Sequence, residues 1–170
     1  PFGSRALIYA DYVASGRSIG FIEDAIRAHV LPFYGNTHTE TSFTGRRSTR
    51  LRELARQTVR KALDADAGHA VIFVGSGATG AADKLMRALS LQGLNEDAVT
   101  FVGPYEHHSN ELSWRESMAE VVRVKLCPDG GIDFAALEAL LKAPQWQGRM
   151  RIGAFSAASN VTGLISDVRR

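Results

Sequence analysis

The sequence is poor in cysteine and has no long apolar run. Its single cysteine, Cys127, cannot form a disulfide within the chain. That scarcity is typical of a reducing compartment, so we expect a cytoplasmic protein. No stretch approaches the roughly 20 apolar residues that a membrane-spanning helix requires. We therefore expect no membrane partner.

An excess of charge of one sign is also missing. Lys and Arg total 20 against 18 Asp and Glu, which gives a net charge of +2. Aromatic residues make up only 8% of the chain. Nucleic-acid binding needs a larger basic surface and aromatic platforms, so we expect no nucleic-acid partner.

The chain of 170 residues is long enough for one domain with a core. Neither end carries a terminal signature, and we expect the chain to be part of a longer protein. The residue patterns divide it into an N-terminal arm and loop over 1–45 and the beginning of a larger domain over 46–170.

Predicted strands and helices alternate along the chain, and this alternation is the main indication of the fold. We expect strands at 7–9, 70–74, 98–102, 121–126 and 150–155. Helices are expected at 18–30, 48–63, from the turn after 74 to about 91, at 110–118 and at 133–141, the last capped by Asp133. This order predicts an α/β fold with a parallel-rich sheet and right-handed crossovers.

Polar clusters follow three of these strands, at 75–80, 106–108 and 156–160. Ligands of such sheets bind at the carboxyl ends of the strands. The three clusters are therefore expected at one edge of the sheet.

The first cluster is a glycine-rich turn, Gly75-Ser76-Gly77-Ala78-Thr79-Gly80, between a strand and a helix. Such a turn offers unpaired backbone N–H groups to an anion. A monophosphate cofactor is one interpretation, and a turn that serves packing alone is another. A dinucleotide site fits poorly, because no carboxylate ends the next strand, where a ribose would need one.

The second cluster contains adjacent histidines, His107 and His108. Adjacent side chains rarely converge, and zinc needs three or four convergent ligands, so we expect no metal. Two polar loop histidines are one interpretation. An imidazole that stacks on a flat cofactor and takes part in proton transfer is the other.

Four short motifs together resemble the class V aminotransferase and cysteine desulfurase-like family of fold-type I enzymes that use pyridoxal 5′-phosphate (PLP). The family patterns are Y-[LF]-D-x-A-A-[ST], S-G-[AT]-T, E-H-H-[SA]-N-x-x-x-W and S-N-x-x-G. In this chain they correspond to Tyr9-Ala10-Asp11 with Ala14-Ser15, Ser76-Gly77-Ala78-Thr79, Glu106-His107-His108-Ser109-Asn110 with Trp114, and Ser159-Asn160-Val161-Thr162-Gly163. Order and spacing agree over nearly the whole chain, which would be the N-terminal portion of such an enzyme.

The resemblance implies an incomplete fold-type I large domain with a helical N-terminal arm, and PLP as its cofactor. It implies that His107 is the catalytic residue that stacks on the pyridine ring. The backbone of Ala78 and the side chain of Thr79 would hold the phosphate, and Asn160 would contact the phenolic oxygen. It also implies a homodimer. Ala14 would lie near the substrate, and Asn36 and His38 would be substrate-side or dimer-side residues.

Two groups that the family needs are not recognisable in the sequence, namely the lysine that binds the cofactor covalently and the aspartate that pairs with the pyridine nitrogen. The four lysines present lack the expected context, so we expect the 170 residues alone to be inactive. The family resemblance implies transamination of an amino acid or amine, with cysteine desulfuration or a related C–S or C–N cleavage as the alternative. A Rossmann nucleotide-binding module and a non-catalytic PLP-fold scaffold are alternatives of another class.

Two residues bear on whether the reaction is a cysteine desulfuration. Desulfurases carry their reactive cysteine in a later loop, and we expect Cys127 to be structural. Gly80 stands where many desulfurases have glutamate, which disfavours the desulfurase branch.

Overall fold

The computed structural model describes residues 3–91 and 97–169 of the chain. They form two compact units, Pro1–Phe73 and Val74–Arg170. No helix in the described ranges is both long and apolar enough to cross a membrane. The division at residues 45 and 46 into an arm and a larger domain stays a prediction.

The first unit contains two helices and almost no buried surface. Helix α1 covers Gly20–His29, a 3₁₀ turn follows at Leu31–Phe33, and helix α2 covers Phe43–Ala62. Helix α2 begins five residues earlier than predicted, because the Ser42 side chain accepts a hydrogen bond from the Gly45 N–H. Among the described residues of this unit, Gly45 alone is buried.

The second unit is built on a three-stranded parallel sheet. Its strands are β1 (Ala98–Val102), β2 (Glu120–Arg123) and β3 (Met150–Ala154), in the order β2-β1-β3. Both β1 pairings are parallel. The predicted α/β fold with a parallel sheet is thus confirmed, and β2 and β3 lie on either side of β1.

Helices cover both faces of this sheet. They are α3 (Gly77–Leu91), α4 (Leu112–Arg115) and α5 (Phe134–Lys142). On one face, Phe101 packs edge-on against Trp146 at 6.1 Å between ring centroids, with α5 beside them. On the other, Met86 of α3 and Trp114 of α4 pack with Val102. Strand β1 is completely buried because it lies between these two layers.

Two predicted strands are wrong. Residues 7–9 and 70–74 are irregular, and Ile72 and Phe73 are 63% and 46% exposed. A strand requires a neighbour for its backbone hydrogen bonds, and none of the other described segments pairs with either run. An apolar run such as 70–74 is typical of a buried strand, but both its pairing and its burial depend on tertiary neighbours.

The helix predicted at 110–118 is also shorter than expected. A 3₁₀ turn at His108–Asn110 leads into the single turn of α4. Helix α4 ends at Arg115, with Glu116 as its C-cap residue. The Ser117 hydroxyl donates to the Trp114 carbonyl at 2.7 Å. This back-bonding competes with a longer helix.

Candidate functional site

The glycine-rich turn is folded tightly against the start of α3. Ser76 and Gly77 have φ values of 64° and 60°, so the backbone reverses in the left-handed region before the helix begins. A methyl group at Gly80 would overlap the Gly75 carbonyl oxygen. Glycine at position 80, where many desulfurases have glutamate, is therefore required by this turn.

The predicted phosphate ligands lie in the first turn of α3. Ala78 and Thr79 are both exposed there. The first N–H groups of a helix have no intrahelical acceptor, and the helix dipole favours negative charge at this end. The turn therefore fits an anion such as a phosphate.

His107 follows β1 and caps the 3₁₀ turn at His108–Asn110. Its Nδ1 accepts the N–H of Ser109 at 3.1 Å, and the Ser109 hydroxyl lies 2.8 Å from the same nitrogen. The neutral ring therefore carries its proton on Nε2. The ring is exposed and its orientation is fixed.

The neighbouring His108 does not share this site. The two imidazole centroids are 6.3 Å apart, and the rings are inclined by 45°. Over the described ranges, no group of three or more His, Cys, Asp or Glu side chains is placed to hold a metal ion.

The third cluster forms a closed turn after β3. Ser159 is buried, and its Oγ accepts the N–H groups of Val161 and Thr162 at 3.3 and 3.2 Å. Gly163 has a φ of 72° and donates its N–H to the Ser159 carbonyl. Asn160 is exposed on this turn.

Glu106 joins the second and third clusters. Its Oε1 accepts the backbone N–H of Ser156 at 2.7 Å, and its Oε2 accepts the Ser156 hydroxyl and the Asn110 amide, both at 2.7 Å. A methyl group at Gly103 would overlap Oε1. Sequence reasoning missed this role, although Glu106 directly precedes the histidine that it singled out.

Helix α3, which begins in the glycine-rich turn, packs against the 3₁₀ turn at His108–Asn110 and against α4. The second and third clusters meet at the carboxyl ends of β1 and β3, through the hydrogen bonds between Glu106 and Ser156. The first cluster follows an irregular segment, so it lies at the start of α3 and not at a strand end as expected.

The three residues expected near the substrate lie in the first unit. Ala14 and Asn36 are exposed. His38 has a φ of 68°, and the Thr49 hydroxyl accepts its N–H at 3.0 Å. Its Nε2 lies 3.2 Å from the Arg52 guanidinium, and because arginine only donates, Nε2 is the acceptor.

The cysteine and the lysines do not join the cofactor residues. Cys127 is half-buried, and its Sγ donates to the Ile132 carbonyl at 3.3 Å. The lysines are exposed on α2, α3 and α5 and just after β2; they are Lys61, Lys84, Lys142 and Lys125.

Two side chains have shifted pKa values, Asp66 in the first unit and Arg87 in the second. The pKa of the Asp66 carboxyl is lowered by its hydrogen bonds to His69, 2.7 Å away, and to the Gly68 N–H. The Asp83 carboxylate, 2.8 Å from Nε, raises the pKa of Arg87 on the exposed side of α3.

Comparison with known proteins decides the family. The model of the family "Aminotransferase class-V" matches residues 8–170. The chain belongs to the class V aminotransferase family. Enzymes of this family depend on PLP.

Two curated relatives are cysteine desulfurases. The chain is 26% identical over 166 residues to a cysteine desulfurase of Synechococcus elongatus, covering 97% of this chain and 26% of the relative. It is 25% identical over 167 residues to a probable cysteine desulfurase of Halalkalibacterium halodurans, covering 96% of this chain and 40% of the relative. The chain thus spans well under half the length of either relative.

Solved structures give the same fold. The apo cysteine desulfurase of Thermococcus onnurineus superposes with a TM-score of 0.75 at 19% identity, over 92% of this chain and 38% of that one. The Escherichia coli cysteine desulfurase CsdA, in an S-sulfonic acid form, superposes with a TM-score of 0.58 at 25% identity, over 86% of this chain and 36% of that one. The first of these similarities establishes the fold alone.

Proposed function

We propose that this chain supplies the phosphate, ring and phenolic-oxygen contacts of a PLP-dependent enzyme that acts on an amino acid or amine. The observation that carries the proposal is that the turn of His107 and the turn that bears Asn160 meet at the carboxyl ends of β1 and β3, where Glu106 joins them. The glycine-rich turn begins α3, and this helix packs against the 3₁₀ turn that His107 caps.

Each turn suits a different part of the cofactor. The backbone N–H of Ala78 and the hydroxyl of Thr79 would donate to the phosphate, at a helix start that favours an anion. The fixed ring of His107 would lie on the pyridine face, with Nε2–H available to move a proton. Asn160 would donate to the phenolic oxygen.

The cofactor supplies the bond-breaking chemistry, because bound PLP acts as an electron sink for a bond at the amino acid's α-carbon. The residues of this chain orient it and hold its phosphate. Covalent attachment needs a lysine at the site. The four lysines present are exposed on α2, α3 and α5 and just after β2, without the sequence context that the family resemblance implies. We place that lysine in a part of the enzyme outside this chain.

Substrate contacts are proposed for the first unit. Ala14, Asn36 and His38 are exposed, and His38 is held in a left-handed conformation by Thr49 and Arg52. Non-glycine residues in that conformation are concentrated at functional sites. We further propose that the enzyme is a cytoplasmic homodimer.

The leading reaction is transamination, and cysteine desulfuration is the second candidate. The family description favours the first. The names of the two curated relatives favour the second. In the second case the sulfur-accepting thiol would lie outside this chain, because Cys127 already donates to Ile132 and is half-buried.

Absorption spectroscopy of the intact protein tests the shared part of the proposal. We expect PLP to give a visible absorption band that borohydride removes, because reduction traps the lysine-bound cofactor. A protein that stays colourless after PLP is added would contradict the proposal and point to a scaffold or a nucleotide binder.

Product analysis then separates the two reactions. With L-cysteine and a thiol reductant, a desulfurase would form alanine and sulfide in equal amounts. A transaminase would form a 2-oxo acid from the amino donor only when a 2-oxo acid acceptor is present.

A further inference from the structure

Glu106 is a charged side chain at the centre of the site, and no step proposed above uses it. It is half-buried, and its two carboxylate oxygens accept three hydrogen bonds, each of 2.7 Å. No cation pairs with it among the described residues. A partly buried carboxylate without a counter-ion destabilises the folded state unless hydrogen-bond donors such as these stabilise its charge.

The three donors belong to two different turns. Asn110 ends the 3₁₀ turn that His107 caps, whereas Ser156 opens the turn that carries Asn160. These turns follow β1 and β3, which are neighbours in the sheet. The Glu106 carboxylate is thus a direct bridge between the two turns.

The bridge is extended on its far side by two hydroxyl groups. Ser166 Oγ donates to the Ser156 carbonyl at 2.9 Å and lies 2.6 Å from the Tyr105 hydroxyl. Its N–H donates to the Ala157 carbonyl at 2.8 Å. Tyr105 directly precedes Glu106 in the chain, so this closed network holds Ser156 from both sides.

The space around the carboxylate is also specific. Gly103 directly follows β1, and any side chain there would occupy the position of Glu106 Oε1. Its N–H donates to the Ala154 carbonyl at 3.3 Å, which continues the β1–β3 pairing to this point. The Glu106 carboxylate therefore occupies the space that the missing side chain of Gly103 leaves free, at the point where the β1–β3 pairing ends.

We propose that Glu106 is a positioning residue that fixes the distance and orientation between the His107 ring and Asn160. The inference rests on the proposed function, because it assigns those two residues to the ring and the phenolic oxygen of PLP. It makes a specific claim beyond stability. Loss of the bridge changes how the cofactor is held between the two turns, and it leaves the phosphate contacts of Ala78 and Thr79 in place.

The test compares Glu106→Gln, Glu106→Ala, Ser156→Ala and His107→Ala in the intact protein loaded with PLP. Visible circular dichroism reports the cofactor's orientation, a PLP titration reports its affinity, and thermal unfolding reports stability. Glu116→Gln is the matched control, because that glutamate is exposed at the end of α4.

We expect Glu106→Ala to shift the visible dichroic band towards that of His107→Ala, while the dissociation constant for PLP changes less than threefold. Glu106→Gln should give an intermediate band, because its amide keeps one acceptor oxygen for the Ser156 N–H but cannot accept from Asn110. The effects of Glu106→Gln and Ser156→Ala should be non-additive, since both break the same bridge.

An unchanged dichroic band in Glu106→Gln and Ser156→Ala, with wild-type protein that binds PLP, would overturn the positioning role alone. A loss of stability or PLP affinity without a change in the band would also overturn it, because a purely structural role predicts that result. Wild-type protein that shows no dichroic band with PLP would instead overturn the proposed function. If Glu106→Ala fails to fold, the Gln and Ser156 variants decide.

Discussion

Single residues at the site differ in whether their role can be recognised from residue type. The motif around His107 singled out the imidazole, and the structure adds the Ser109 contacts that fix its tautomer. Glu106 could be recognised only from its contacts, because its three donors lie at 110 and 156. Gly80 is a similar case, since a carbonyl five residues earlier fills the space of its missing side chain.

Replacing Thr79 with valine tests the phosphate turn at this scale. The change preserves the side chain's shape and removes one hydroxyl donor. A hydrogen bond to a charged group contributes about 1.5–3 kcal/mol, so we expect PLP to bind roughly tenfold more weakly or worse. A PLP titration followed by visible absorption measures the effect.

Thr58→Val is the matched control for this substitution. Thr58 lies on exposed α2, and its hydroxyl donates to the Leu54 carbonyl. We expect this variant to bind PLP as the wild-type protein does. Equal affinities for wild-type and Thr79→Val proteins would argue against a phosphate contact at Thr79.

The elements follow local sequence signals where their contacts are local. Helix α5 begins where Asp133 was expected to cap it, and the aspartate accepts the Ala136 N–H at 2.9 Å. Strands β1 and β3 lie where short apolar runs predicted them. The run at 70–74 differs from β1 at one position, yet it remains unpaired among the described residues.

Removing the cap of α5 is the corresponding prediction. Asp133→Ala leaves the Ala136 N–H without its acceptor, and we expect a loss of about 1 kcal/mol in the free energy of unfolding. Chemical denaturation of the intact protein measures it. Asp133→Asn should retain nearly all of that stability, because asparagine caps as well as aspartate, and equal losses in both variants would contradict the capping role.

At the scale of the whole molecule, the two units differ in how much of their apolar surface is buried. The second has a sheet covered on both faces. The first has apolar stripes that nothing in its described residues covers, and Leu7 and Ile8 are 81% and 87% exposed. Exposed apolar surface of this extent marks a contact surface in soluble proteins.

The 170-residue chain expressed by itself should therefore bind the apolar dye ANS and self-associate. Dye fluorescence and size-exclusion chromatography with light scattering would measure both. The intact protein is the control, and we expect it to bind less dye per residue. A monodisperse monomer that does not increase the fluorescence of the dye would contradict this expectation.

The sequence by itself determined the family, the parallel α/β fold and the three polar turns, because these depend on local patterns of residue type. It also singled out Ala78, Thr79, His107 and Asn160, of which His107 and Asn160 follow β1 and β3 in the structure. Only the tertiary structure decided which apolar runs pair as strands and that Glu106 joins two of the turns. The Glu106 bridge joins groups 50 residues apart in the chain, and the β1–β3 pairing joins Ala98 with Met150; no local pattern records which of them meet.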